Sequence, residues 1–198
     1  MKILCIGTHP DDLCFGMGGT IVKLIKDNDV SLCISRECIG KRLIEQKKAF
    51  KIFGKDKFYI NNFTFEDKDE MKEIEDLTKL IEIVKPDRVY IPSPDSNQHH
   101  RRLNEMCFSA LRRTNIAIYM YSPTTVKGIE THHFSPNIFE DITKQFKTKI
   151  KAIKCHKSQL KKFGKEYLDF VRYKDSYNGY LSGVKYAEGF QIVKEVRK

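Results

Sequence analysis

The sequence predicts a single α/β domain, a mostly parallel sheet of about five or more strands with helices on both faces. Three observations predict it. Short apolar runs alternate with segments of helical period along most of the chain, as in parallel strands joined by crossover helices. The first run, Lys2-Ile3-Leu4-Cys5-Ile6-Gly7, is apolar on both faces, as in a strand covered from either side. The residues richest in chemistry follow such runs directly, where open α/β sheets place their ligands. At 198 residues the chain suits one domain spanning 1–198, and no repeat, linker or shift in composition divides it.

Each element has its own signal. After the first strand come a polar loop and a helix through 20–26, then a second strand over 29–35. Residues 41–53 carry Ile44, Ala49, Phe50 and Phe53 at helical spacing and stop at Gly54, a C-cap. Lys57-Phe58-Tyr59-Ile60 is a short third strand. Acidic residues at 66–76 suit the positive end of a helix that runs to Val84 and is broken by Pro86. Residues 88–92 form a fourth strand, 101–113 a helix and 116–121 a fifth strand. A long loop or edge hairpin is expected over 122–140, a long helix over 141–163, a helix near 165–173, and a terminal strand over 186–193.

Composition excludes several classes. Hydrophobic residues at 40% and charged residues at 31% describe a globular protein rather than a disordered or membrane one. No stretch approaches the roughly 20 apolar residues of a membrane span, and entry into a strand at once predicts no signal peptide. Six cysteines without CxxC pairing predict reduced thiols and a cytoplasmic location. The net charge of +10 is read as Lys-rich solvated helix faces, with attraction of an anionic substrate as the functional alternative. No aromatic RNA-binding motif, zinc finger or recognition helix accompanies it, which argues against nucleic acid. A homo-oligomer is left open.

Two loops carry the chemistry. Thr8-His9-Pro10-Asp11-Asp12 places an imidazole and two carboxylates between strand and helix. Adjacent carboxylates are not easily buried together without a cation beside them, and a divalent metal is the simplest. The second loop, after the fourth strand, holds Asp95-Ser96-Asn97-Gln98-His99-His100. His9, Asp12 and one histidine of the 99–100 pair make three N/O ligands with a position left for water, the donor set of a catalytic zinc site. Asp11, beside a ligand but aimed elsewhere, is placed to take a proton from water. Arg36 and Glu37, at the end of the second strand, are candidate contacts for substrate hydroxyls. The glycines at 16, 18 and 19 lack the GxGxxG spacing of a phosphate loop and read as close helix–strand packing.

At these residues the chain resembles the LmbE-like (PIG-L) N-deacetylase family, and the likeness covers nearly all of it. His9-Pro10-Asp11-Asp12 with Gly18-Gly19-Thr20 matches the family's first motif, and Asp95 to His100 falls at its second. Arg42 to Glu45 resembles its R-x-x-E helix, and Phe134 to Ile142 its F-x-P-N-x-x-x-D-I segment. His156-Lys157-Ser158-Gln159 and Tyr186-Ala187-Glu188-Gly189-Phe190 resemble H-x-S-Q and Y-A-E-x-F. The resemblance implies zinc ligands His9, Asp12 and His100, with iron or another divalent ion as a substitute, and Asp11 as general base. It also implies a Rossmann-like sheet and removal of an acetyl group from an N-acetylated sugar or glycoconjugate. Three positions depart from the family: Leu13 replaces a Glu, Asn97 an oxyanion-stabilising imidazole, and His99 the acid before the ligand. Asn97 and His99 join Arg36 and Glu37 as candidate substrate contacts. A non-hydrolytic family member, or a Rossmann-like nucleotide- or glycan-binding module, is the alternative reading. His132, His133 and His156 are expected outside the ligand set.

Overall fold

In the computed structural model, which describes residues 1–123, 134–164 and 166–196, five parallel strands form the body of one sheet. They are β1 (Lys2–Gly7), β2 (Asp29–Ile34), β3 (Tyr59–Ile60), β4 (Arg88–Pro92) and β5 (Ala117–Tyr121). Two further strands, β6 (Ile138–Asp141) and β7 (Ala187–Lys194), add antiparallel at one edge, giving the order β3-β2-β1-β4-β5-β7-β6. The expected mostly parallel α/β sheet is therefore present.

β1 is buried on both faces, and its alternation divides the core. Ile3 and Cys5 join α1 (Asp12–Leu24), α2 (Gly40–Ile52), α5 (Phe146–Ile153) and Val171 of α7 (Glu166–Ser182). Leu4 and Ile6 join the apolar faces of α3 (Glu70–Val84) and α4 (Gln98–Leu111) on the other side. With β2 and β4 flanking β1, the chain winds away from β1 in both directions. The carboxyl ends of β1 and β4 thus border the crevice at which such sheets bind ligands.

The expected long helix over 141–163 is not continuous. Asp141 pairs with Ala187 in the sheet, α5 ends at Ile153, and α6 (Lys157–Phe163) starts after a break at His156. The break has a tertiary cause. His156 is buried, its Nε2 3.5 Å from Cys14 Sγ, and Glu45 accepts from the Ser158 amide (2.9 Å) and hydroxyl (2.5 Å). The R-x-x-E and H-x-S-Q segments therefore meet, one supplying the anion for the other's helix N-terminus. The following helix, expected near 165–173, extends to Ser182.

α1 is likewise two pieces, with non-helical backbone at Met17. Glu188 of β7 accepts the Gly19 and Thr20 amides at 2.9 and 2.6 Å, capping the second piece. Those amides are the ones a phosphate would need, so the carboxylate rules out a phosphate loop there. A Cβ on Gly16 would overlap the Tyr121 ring, and one on Gly19 would meet Ile142 at 2.7 Å; close packing accounts for both. Lys149, fully buried, joins Glu188 and Asp175 at 2.7 Å each, tying α5, α7 and β7 to α1.

Candidate metal centre

The first loop is shaped by its own backbone. Asp11 sits at φ 127°, a conformation L-residues rarely adopt and one that costs on the order of 1–3 kcal/mol. It is held by what surrounds it. The Asp12 carboxylate accepts the Thr8 and His9 amides at 3.0 and 2.8 Å, and the Asp11 carbonyl accepts the Phe15 amide at 2.9 Å. Arg42 Nη2 donates to both the Pro10 carbonyl and Asp11 Oδ1 at 3.0 Å. The two carboxylates consequently point different ways, Asp12 toward the crevice and Asp11 toward Arg42.

The second loop ends sooner than the sequence suggests. Asn97 is the N-cap of α4, its Oδ1 accepting the His99 amide at 2.9 Å, so His99 and His100 lie in the first helical turn. Neighbours on a helix diverge by about 100°, yet both rings reach His9, one to each of its nitrogens. His100 Nε2 lies 3.3 Å from His9 Nδ1, and His99 Nδ1 lies 3.1 Å from His9 Nε2.

His9 Nδ1, Asp12 Oδ2 and His100 Nε2 form a triangle. Its edges are 3.3, 3.3 and 3.5 Å, and all three residues are buried. Donors about 2.0–2.2 Å from a tetrahedral zinc stand roughly 3.3–3.6 Å from one another, so the spacing fits. His100 is oriented from behind by Asp95, whose Oδ2 is 2.6 Å from His100 Nδ1. Sequence reasoning quoted Asp95 and Arg42 within motifs but gave neither a role. A carboxylate five residues before a candidate ligand, across a helix cap, was the available signal for Asp95.

The electrostatics follow from burial and partners. Burial first, then the Asp12 charge, pushes the Asp11 carboxyl well above the usual range, while Arg42 pulls it down. For Asp12, burial is outweighed by His100 and His9, which hold its carboxyl below the usual range. Burial of His100 is outweighed by Asp12 and Asp95, which raise its imidazole to about 10. His99, half-buried beside Arg36, is lowered to about 4, and His156 to about 3, both mainly by burial.

The remaining candidates lie at the rim. Arg36 donates to the Phe63 and Thr64 carbonyls and lies 5.5 Å from the Phe65 ring centre. Glu37, half-exposed, pairs with Arg42 at 2.5 Å, and its carboxylate also approaches His9 and His99. His156 stays outside the triangle, and His132 and His133 lie outside the described residues. All six cysteines are free thiols.

The sequence profile of the GlcNAc-PI de-N-acetylase (PIG-L) family matches residues 4–111, the stretch holding both loops. The chain belongs to this family. It is 27% identical to diacetylchitobiose deacetylase from Thermococcus kodakarensis over 225 aligned residues, covering 97% of this chain and 83% of the relative. The solved N,N'-diacetylchitobiose deacetylase from Pyrococcus horikoshii superposes with a TM-score of 0.80 at 26% identity, covering 97% of this chain and 83% of that one. The 4-carboxy-2-hydroxymuconate hydratase GalB from Pseudomonas putida shares the fold, with a TM-score of 0.76, 18% identity and coverage of 100% and 98%. The chain is thus a member of a deacetylase family whose fold also serves other chemistry.

Proposed function

We propose that this chain is a metal-dependent N-deacetylase, with zinc as its metal, acting on an N-acetylated sugar or glycoconjugate. The observation that carries the reading is the buried His9–Asp12–His100 triangle at zinc-ligand spacing, with a second carboxylate, Asp11, alongside it. Family membership and the similar sugar deacetylases support the reaction class. A zinc ion held by the three residues would supply positive charge that acidifies water and polarises an amide carbonyl.

This chain's residues do the rest. Asp11, as the anion, accepts a proton from the water that adds to the acetyl carbonyl carbon, and Arg42 holds the carboxylate in place. The same proton returns to the amide nitrogen as the C–N bond breaks, leaving acetate and an amine. Asn97 gives its Oδ1 to the helix cap, so its amide NH₂ is the group left to donate toward the developing oxyanion. Arg36, Glu37 and His99 are the candidate substrate contacts at the rim, and the +10 charge admits a sugar with an anionic carrier. Reduced thiols favour a cytoplasmic enzyme.

The test is acetate release from a short N-acetylglucosamine oligosaccharide by zinc-loaded protein. Asp11→Ala should keep its zinc and lose turnover by about 10²–10⁴-fold. Equal turnover in that variant would refute the assignment. Sugar binding with no acetate release by the wild-type chain would favour the non-hydrolytic reading.

A further inference from the structure

We propose that His99 is a positioning residue that decides which ring nitrogen of His9 carries the proton, and so keeps the other free as a ligand. The inference rests on the metal-site reading above. A neutral imidazole has one N–H donor and one acceptor nitrogen, and only the acceptor can bind a metal. His9 Nδ1 is a corner of the ligand triangle, so the His9 proton must reside on Nε2. Nε2 faces His99 Nδ1 at 3.1 Å. If His9 donates across that gap, its Nδ1 lone pair points at Asp12 and His100. If His99 donated instead, the His9 proton would sit inside the triangle and block it.

The surroundings hold His99 where this choice is made. Asn97 fixes its backbone amide, and the Phe65 ring stacks on the imidazole with centres 5.6 Å apart and planes at 28°. Phe65 is itself buried, with the Arg36 guanidinium 5.5 Å from its ring centre. His100 has the matching arrangement, its Nδ1 facing Asp95 at 2.6 Å. Both imidazole ligands are therefore anchored through their distal nitrogens, His9 by His99 in the first turn of α4 and His100 by Asp95 in the loop before that helix. One anchor is an anion and the other a ring. Partners of this kind typically change metal affinity by about 10–100-fold when removed.

The experiment compares wild type, His99→Phe and His99→Asn. An asparagine Oδ1 occupies about the place of a histidine Nδ1, so His99→Asn keeps the acceptor while His99→Phe removes it. Zinc affinity is read by competition with a chromogenic chelator, and the His9 tautomer by ¹⁵N NMR of the zinc-free proteins at neutral pH. Expected are one zinc per chain in all three, bound about 10–100-fold more weakly by His99→Phe and with near wild-type affinity by His99→Asn. His9 should be protonated at Nε2 in wild type and His99→Asn, and a mixture of tautomers in His99→Phe. Equal zinc affinity and the same His9 tautomer in His99→Phe and wild type would overturn the proposal. So would a second zinc equivalent taken up by wild type and lost in His99→Phe, which would put a cation rather than a proton between the rings. Failure of the metal-site reading looks different, with no zinc bound by any form; the His9 tautomer then still decides this proposal.

Discussion

At the scale of single residues, adjacent carboxylates in one loop take opposite roles because their partners differ. Asp12 faces two imidazoles and two backbone amides and stays charged; Asp11 faces Arg42 and is pushed toward its neutral form by burial. A base must be ionised to work, so activity should fall as pH drops through the Asp11 pKa. Arg42 favours the charged carboxyl, and removing it raises that pKa further. Arg42→Gln should therefore move the acid limb of the kcat/KM profile to higher pH, and an unmoved limb would disconnect Arg42 from Asp11. His100 gives a second pH effect. Its imidazole is raised to about 10 in the metal-free protein, so a proton must leave before Nε2 can bind a cation. Zinc affinity should rise by up to about tenfold per pH unit between roughly pH 6 and 8, measurable by chelator competition; a flat profile would contradict this arrangement. The candidate ligands at 9, 12 and 100 and the candidate base at 11 were legible because few other residue types can do their chemistry. Arg42 as the partner of Asp11 was not, because 31 residues separate them and only packing joins them.

At the scale of elements, strands and most helices announce themselves through periodicity, whereas helix interruptions do not. The apolar positions over 141–163 keep helical spacing across both ends of the break, so period alone joins Ile142, in the turn after β6, to α5 and α6. What divides them is tertiary: sheet pairing at Asp141, the burial of His156 on Cys14, and the Glu45 carboxylate at the new N-terminus. The same holds for the kink in α1, where Glu188 arrives from the far end of the chain to cap Gly19 and Thr20. Lys149 compensates Glu188 and Asp175 in a space without solvent, burial raising Asp175 to about 6 despite the ammonium beside it. Lys149→Met would remove the ammonium bonded to both carboxylates and leave only the more distant charge of Lys174, which is bonded to the Ser122 carbonyl, to act on them. It should cost about 3–5 kcal/mol of stability, read by urea denaturation. A loss below about 1 kcal/mol, the value of an exposed pair, would mean the network is not a buried one.

At the scale of the whole molecule, the site exists because of strand order. β1 and β4 are neighbours in the sheet although 80 residues and more separate them in the chain, and their following loops open on the same crevice. That convergence was legible: both loops followed runs that read as parallel strands. The antiparallel edge was legible in part: the terminal strand expected over 186–193 is β7, whereas β6, four residues long, falls at the end of the stretch read as a long loop or edge hairpin. The +10 charge gives a prediction at this scale. If it draws in an anionic substrate, kcat/KM for anionic N-acetyl sugars should fall with added salt while that for neutral ones stays level. Equal salt dependence for both would assign the charge to solvated helix faces. The central claim, that His9, Asp12 and His100 hold a catalytic metal, is tested most directly by the metal content of the purified protein beside its Asp12→Ala variant. The account predicts about one zinc per chain in the wild type and none in the variant. Absence of metal from both, after incubation with zinc, would contradict it.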